Sequence, residues 1–135
     1  MRCVPRLAAL LALALLTGCA DPAPDPVEVT GAVTYDGEPV AAGIISFVPI
    51  DSVRPPGGAA ISDGRYHLYP EVALKPGTYR VEVRWARATG EKRAAGYGQS
   101  PDVFAEVLPA KYNADSVLTA EVTAGGNAID FVLEK

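Results

Sequence analysis

The sequence predicts an all-β domain, and three observations carry that prediction. The stretch Gly77-Thr78-Tyr79-Arg80-Val81-Glu82-Val83-Arg84-Trp85 alternates strictly, with Tyr79, Val81, Val83 and Trp85 facing one way and Thr78, Arg80, Glu82 and Arg84 the other. Period-2 alternation over such a length is the pattern of a strand with one dry and one wet face. Gly and Pro, 13 and 12 of 135 residues, are scattered along the chain and cut it into short segments. After residue 17 no long stretch has helical period, and strand formers fill the periodic segments. A chain of this length buries the core of one domain rather than two.

The elements follow in order. Arg2 and Arg6 supply a positive start, and an apolar run of eleven residues extends from Leu7 to Thr17. A membrane-spanning helix needs roughly 20 residues, so the run reads as an export signal. It ends in Leu16-Thr17-Gly18-Cys19, which resembles the lipobox of bacterial lipoproteins. That resemblance implies cleavage before Cys19 and acyl chains on Cys19, hence an exported protein held to a membrane at the cell envelope. Removing Arg2 and Arg6 from the 12 basic residues leaves 10 against 16 acidic ones, a net charge near −6 for the mature chain. Such a balance argues against nucleic acid and against electrostatic docking on anionic lipid. Cys3 departs with the signal and Cys19 is alkylated, so no thiol remains for a disulfide, a metal or nucleophilic catalysis. Ala20 to Pro26, with alternating Pro, is extended chain. The chain thus divides into a signal segment (1–18), a Pro-rich spacer (19–27) and one domain (28–135).

Within the domain, a first strand is expected over about Val27–Tyr35, closed by the tight-turn pair Asp36-Gly37. A second runs from Gly43 to Val48 and stops at Pro49; residues 50–57 read as loop. Ala59–Ser62 and Arg65–Tyr69 form a hairpin around Asp63-Gly64, Pro70–Pro76 connects, and Gly77–Arg87 is the central strand. Residues 88–105 break the pattern and read as a long loop, of the kind that is often functional. Glu106–Tyr112 is a short strand broken by Pro109, Val117–Thr123 is a strand, Gly125-Gly126-Asn127 is the last turn, and Ala128–Leu133 closes the chain. About seven strands with frequent turns is the spacing of a sandwich.

Four segments together are similar to the carboxypeptidase regulatory-like, or transthyretin-like, domain of bacterial surface lipoproteins. They are Val29-Thr30-Gly31-Ala32-Val33-Thr34-Tyr35-Asp36-Gly37-Glu38-Pro39-Val40, Ile45-Ser46-Phe47-Val48-Pro49, Pro76-Gly77-Thr78-Tyr79-Arg80-Val81-Glu82-Val83 and Leu108-Pro109-Ala110-Lys111-Tyr112-Asn113. The resemblance implies a seven-stranded Greek-key β-sandwich (transthyretin/prealbumin-like). It carries no catalytic residues over, and fold alone assigns no function.

The chemistry in the residues agrees with a non-enzymatic module. The single His, His67, reads as a surface strand residue, where a zinc site would need about three ligands. Transthyretin-like hydrolases of a purine-breakdown intermediate end in Tyr-Arg-Gly-Ser, whereas this chain ends in Asp130-Phe131-Val132-Leu133-Glu134-Lys135. The serines lack a nucleophile elbow. No catalytic residue, metal ligand or cofactor is expected. The module is expected to serve a structural or binding role, with the membrane as partner through Cys19 and an envelope protein as a further one. The alternative is glycan or cell-wall binding through the 88–105 loop. Tyr97, Phe104 and Tyr112 are its candidate aromatics, which otherwise pin the loop to the core, and Arg87, Lys92 and Arg93, with Arg84, are its candidate cations.

Overall fold

The computed structural model describes Gly18, residues 27–72 and residues 74–135. The apolar signal run, Cys19 with its expected lipidation, and the spacer as far as Pro26 lie outside the described residues. Among the described residues there is no α-helix, and the domain is all-β.

β1 (Val27–Tyr35) has the predicted bounds, and Val27, Val29 and Val33 are buried on its inner face. Asp36 and Gly37 both have positive φ (51° and 83°), the tight hairpin turn that lets β2 (Glu38–Pro39) fold back on β1. β3 (Ala42–Pro49) leads to β4 (Gly57–Ser62) and β5 (Arg65–Leu68), which are joined by a second positive-φ pair, Asp63 and Gly64. A single 3-10 turn (Pro70–Val72) precedes β6 (Gly77–Arg84). β7 (Ala86–Lys92), β8 (Asp102–Glu106), a 3-10 turn (Ala110–Tyr112), β9 (Leu118–Val122), β10 (Gly125–Ala128) and β11 (Phe131–Leu133) complete the chain. The main sheet runs β10-β1-β5-β4-β3-β6-β9, with β2 and β11 on the far half of β1; β7 and β8 form a separate two-stranded sheet.

The main sheet curls, so inner residues of distant strands meet. Phe47 on β3 lies 6.1 Å from Tyr66 on β5 and 6.5 Å from Phe131 on β11, ring centre to ring centre. One apolar core results, and Tyr79, Val81 and Val83 of β6 are fully buried in it beside Ile45, Phe47 and Leu68. Tyr79 keeps its hydroxyl satisfied by donating to the Lys75 carbonyl at 2.7 Å. The 50–56 loop folds over the start of β6. There Arg54 pairs with Asp51 and fills the space a side chain at Gly77 (φ 150°) would need.

The described residues form eleven strand segments where the sequence reading expects about seven, and four local expectations need correction. Residues 88–105 are not a long loop but most of a hairpin. The central strand does not run on to Arg87, because Trp85 breaks it. Glu106–Tyr112 is not a strand; Asn113, the one buried polar residue described, bonds the Leu108 and Pro109 carbonyls and stabilises a 3-10 turn instead. Gly125-Gly126-Asn127 is not merely a turn. Gly125 enters with φ 87°, and the Asn127 amide donates to the Thr123 and Glu28 carbonyls. With the bend stabilised by a side chain, Gly125–Ala128 is free to pair in parallel with β1 as β10.

Candidate functional site

Trp85 is the hinge on which the functional candidates are arranged. Its ring is buried, its carbonyl accepts the Val107 N–H at 2.8 Å, and its own N–H donates to Glu106 Oε1 at 2.8 Å. The same carboxylate oxygen accepts the Leu108 N–H at 3.1 Å. One acidic side chain thus satisfies two backbone donors where β6 leaves the core and β8 re-enters it. Beyond this joint every residue of β7 is exposed, so the β7–β8 hairpin stands off the sheet as an arm.

The arm is stabilised by its own bonds. Thr89 Oγ1 donates to the Val103 carbonyl at 3.1 Å, Lys92 pairs with Asp102 at 3.1 Å, and the Arg93 and Ala95 N–H groups close the tip on Pro101 and Gln99. Tyr97 occupies the apex in a left-handed conformation (φ 62°) and is fully exposed. Phe104, on β8 opposite Ala88, is 62 % exposed. Arg93 belongs to the tip, Lys92 to the ion pair, and Arg87 to the base, where its guanidinium lies 3.8 Å above the Trp85 ring and 3.8 Å from Glu38. Arg84 is at the end of β6 beside Glu82. Tyr112 stands apart from all of these. It is 7 % exposed, and its hydroxyl both donates to and accepts from the Glu134 backbone at 2.9 Å. It therefore pins the C-terminal strand to the core and presents no open ring face.

A second surface lies on the outer face of β1, β5 and β4. His67 is the surface strand residue expected, yet it has company: its Nε2 is 2.5 Å from Glu28 Oε1, and its ring stacks on Tyr69 at 3.8 Å between centres. The two rings border a hollow of about 700 Å³ that also touches Thr30, Arg65 and Asp130. Beneath it, the Tyr66 hydroxyl donates to the Ile129 carbonyl at 2.7 Å, and burial, with the Asp130 charge nearby, raises its pKa well above the usual phenol value. Tyr69 is a residue the sequence reading passes over. The available signal was the alternation of Arg65, His67 and Tyr69, which sets the first two on the wet face of β5 and carries Tyr69, the residue just past its end, to the same hollow.

Both surfaces combine ring faces with hydrogen-bonding groups. No family model matches this chain, and no curated protein or solved structure matches it significantly.

Proposed function

We propose that the chain is an exported lipoprotein whose single, non-enzymatic domain serves as a structural or binding module at the cell envelope. The observation that carries this reading is the ordered run of positive residues, apolar stretch and Leu16-Thr17-Gly18-Cys19 at the start of the sequence. We read the curled sheet as the Greek-key sandwich of the transthyretin-like, carboxypeptidase regulatory-like domains that the four quoted segments resemble. The layout of the domain suits this role. β1 begins next to the spacer at Val27 and ends at Tyr35, which shares a hollow with Trp85, Arg87 and Lys135. Nine extended residues span roughly 30 Å. We read an anchor at Cys19 as holding the pole at Val27, while the arm leaves from the other. Metabolic labelling with a fatty acid tests the anchor: wild type incorporates label and Cys19→Ser does not. Equal labelling of the two overturns the reading.

A second reading gives the arm the binding role. Full exposure of Tyr97 at the apex, with Phe104 along the shaft, favours it, because large aromatics held in water by a well-bonded scaffold offer flat apolar faces for a glycan. The double variant Tyr97→Ala, Phe104→Ala is then expected to lose retention on a glycan array that wild type shows. Unchanged retention removes the arm from the account.

A further inference from the structure

We propose that the outer face of β1, β5 and β4 is a saccharide-binding site with Tyr69 as its platform. Tyr69 is 57 % exposed although aromatic, and its position is defined by the stack on His67. His67 is in turn held by Glu28 from the neighbouring strand. Such a prebuilt ring loses little freedom when a ligand covers it. Cross-strand pairing sets Thr30 beside His67 and, on its other side, Ala128, while Ala32 pairs with Arg65. Small side chains therefore form the floor of the hollow, and the rings and charged groups form its rim. Its size, about 700 Å³, falls within the roughly 300–1,000 Å³ of small-molecule sites.

The rim chemistry selects the ligand class. Asp130, on the rim, gives one carboxylate oxygen to the Ala32 N–H at 2.8 Å, while Glu28, outside the lining, gives one to His67. Among the described residues the second oxygen of each has no protein donor, and Arg65 makes no ion pair. The rim thus offers acceptors and donors together, which is what hydroxyls need, since each both donates and accepts. One carboxylate, Asp130, beside one guanidinium, Arg65, leaves the rim without the net positive charge that a phosphate or another anion calls for. The hollow is open and polar at its rim, so it does not enclose an acyl chain. A neutral sugar, with an apolar C–H face for Tyr69 and hydroxyls around its edge, matches all of these features.

This site is independent of the anchor and of the arm, and one experiment separates them. Full-length protein in detergent is screened on an array of oligosaccharides of glucose and of N-acetylglucosamine, in α- and β-linkages, and the best probe is titrated by calorimetry. Tyr69→Ala is expected to weaken binding about tenfold, Tyr69→Phe to retain it, and Val53→Ala, an exposed change elsewhere, to leave it unchanged. Thermal melts check that each variant is folded; if Tyr69→Ala is not, Arg65→Ala takes its place with the same expected direction. Three results overturn the proposal: no oligosaccharide is retained by wild type; Tyr69→Ala and Arg65→Ala bind as wild type does; or only the Tyr97→Ala, Phe104→Ala pair loses binding, which moves the ligand to the arm.

Discussion

β6 and β7 are two lengths of one extended chain, parted by the single residue Trp85, and they live in opposite surroundings. In β6, Tyr79, Val81 and Val83 have no exposure at all. In β7, all seven residues are exposed. The apolar phase of the alternation ends at Trp85, because the same parity next delivers Arg87, Thr89 and Glu91. β6 is held by what its side chains bury. β7 is held by its ladder to β8 and by a few side-chain bonds. Two-stranded ribbons are marginal on their own, so the arm depends on its joint at Trp85 and Glu106 in a way that β6 does not.

The widest gap between the two regions is expected from a buried charge. Val83→Asp places an unpaired carboxylate in the core and should cost several kcal/mol or unfold the domain, whereas Ala88→Asp on the arm should stay within about 0.5 kcal/mol. Denaturant melts followed by Trp85 fluorescence measure both; similar losses would mean that the arm is packed after all. At the joint, Glu106→Ala strips the acceptor from the Trp85 and Leu108 N–H groups and should cost about 1–3 kcal/mol, with much of the loss restored by Glu106→Gln. The same melts decide it, and an equal loss for both variants would assign the effect to charge.

Alkali should reach the core through Tyr66. Its folded pKa is raised by burial above the unfolded value of 10.0. The folded state thus retains a proton that the unfolded chain releases, so this stabilisation is present below pH 10 and lost as pH rises beyond it. A drop of about 1 kcal/mol between pH 9 and pH 11 is expected in urea melts, and Tyr66→Phe should make the drop smaller. The smallest effect is at the base of the arm. Arg87→Ala removes the guanidinium from the Trp85 ring and should cost about 0.5–1 kcal/mol. Hydrogen exchange should report it as faster exchange of the Val107 N–H, with the β6 amides unmoved.

The same contrast explains what could be read from the sequence. Alternation reports a face in contact with a core, so β1 and β6 are plain in the residues, and Asp36-Gly37 and Asp63-Gly64 announce their turns through the backbone angles they alone accept readily. β7 and β8 have no buried face and therefore leave no mark in hydropathy, which is why 88–105 reads as loop. β10 is hidden for another reason. Gly125-Gly126-Asn127 has the composition of a turn, and only its distant partner β1, nearly a hundred residues away, makes it a strand. Of the candidate site residues, Tyr97 and Phe104 share the arm and its exposure, while Tyr112 resembles them in type alone. Side-chain type does not tell which aromatic has a hydroxyl spoken for by the Glu134 backbone.

β1 has one more property that follows from its neighbours. It pairs in parallel with β10 along its first half and with β11 along its second. The chain enters β1 at one end of the ladder and leaves β11 at the other, so tension between the N-terminus and the C-terminus pulls the two strands past each other. In that geometry the hydrogen bonds of the ladder share the load and must rupture nearly together. Had the pair been antiparallel, the same ends would lie side by side and the bonds would peel one at a time. Pulled apart at its two ends, the domain is therefore mechanically stiff along that axis. Force spectroscopy through the two termini should record a high rupture force, lowered when Val33→Ala thins the packing behind the β1–β11 ladder.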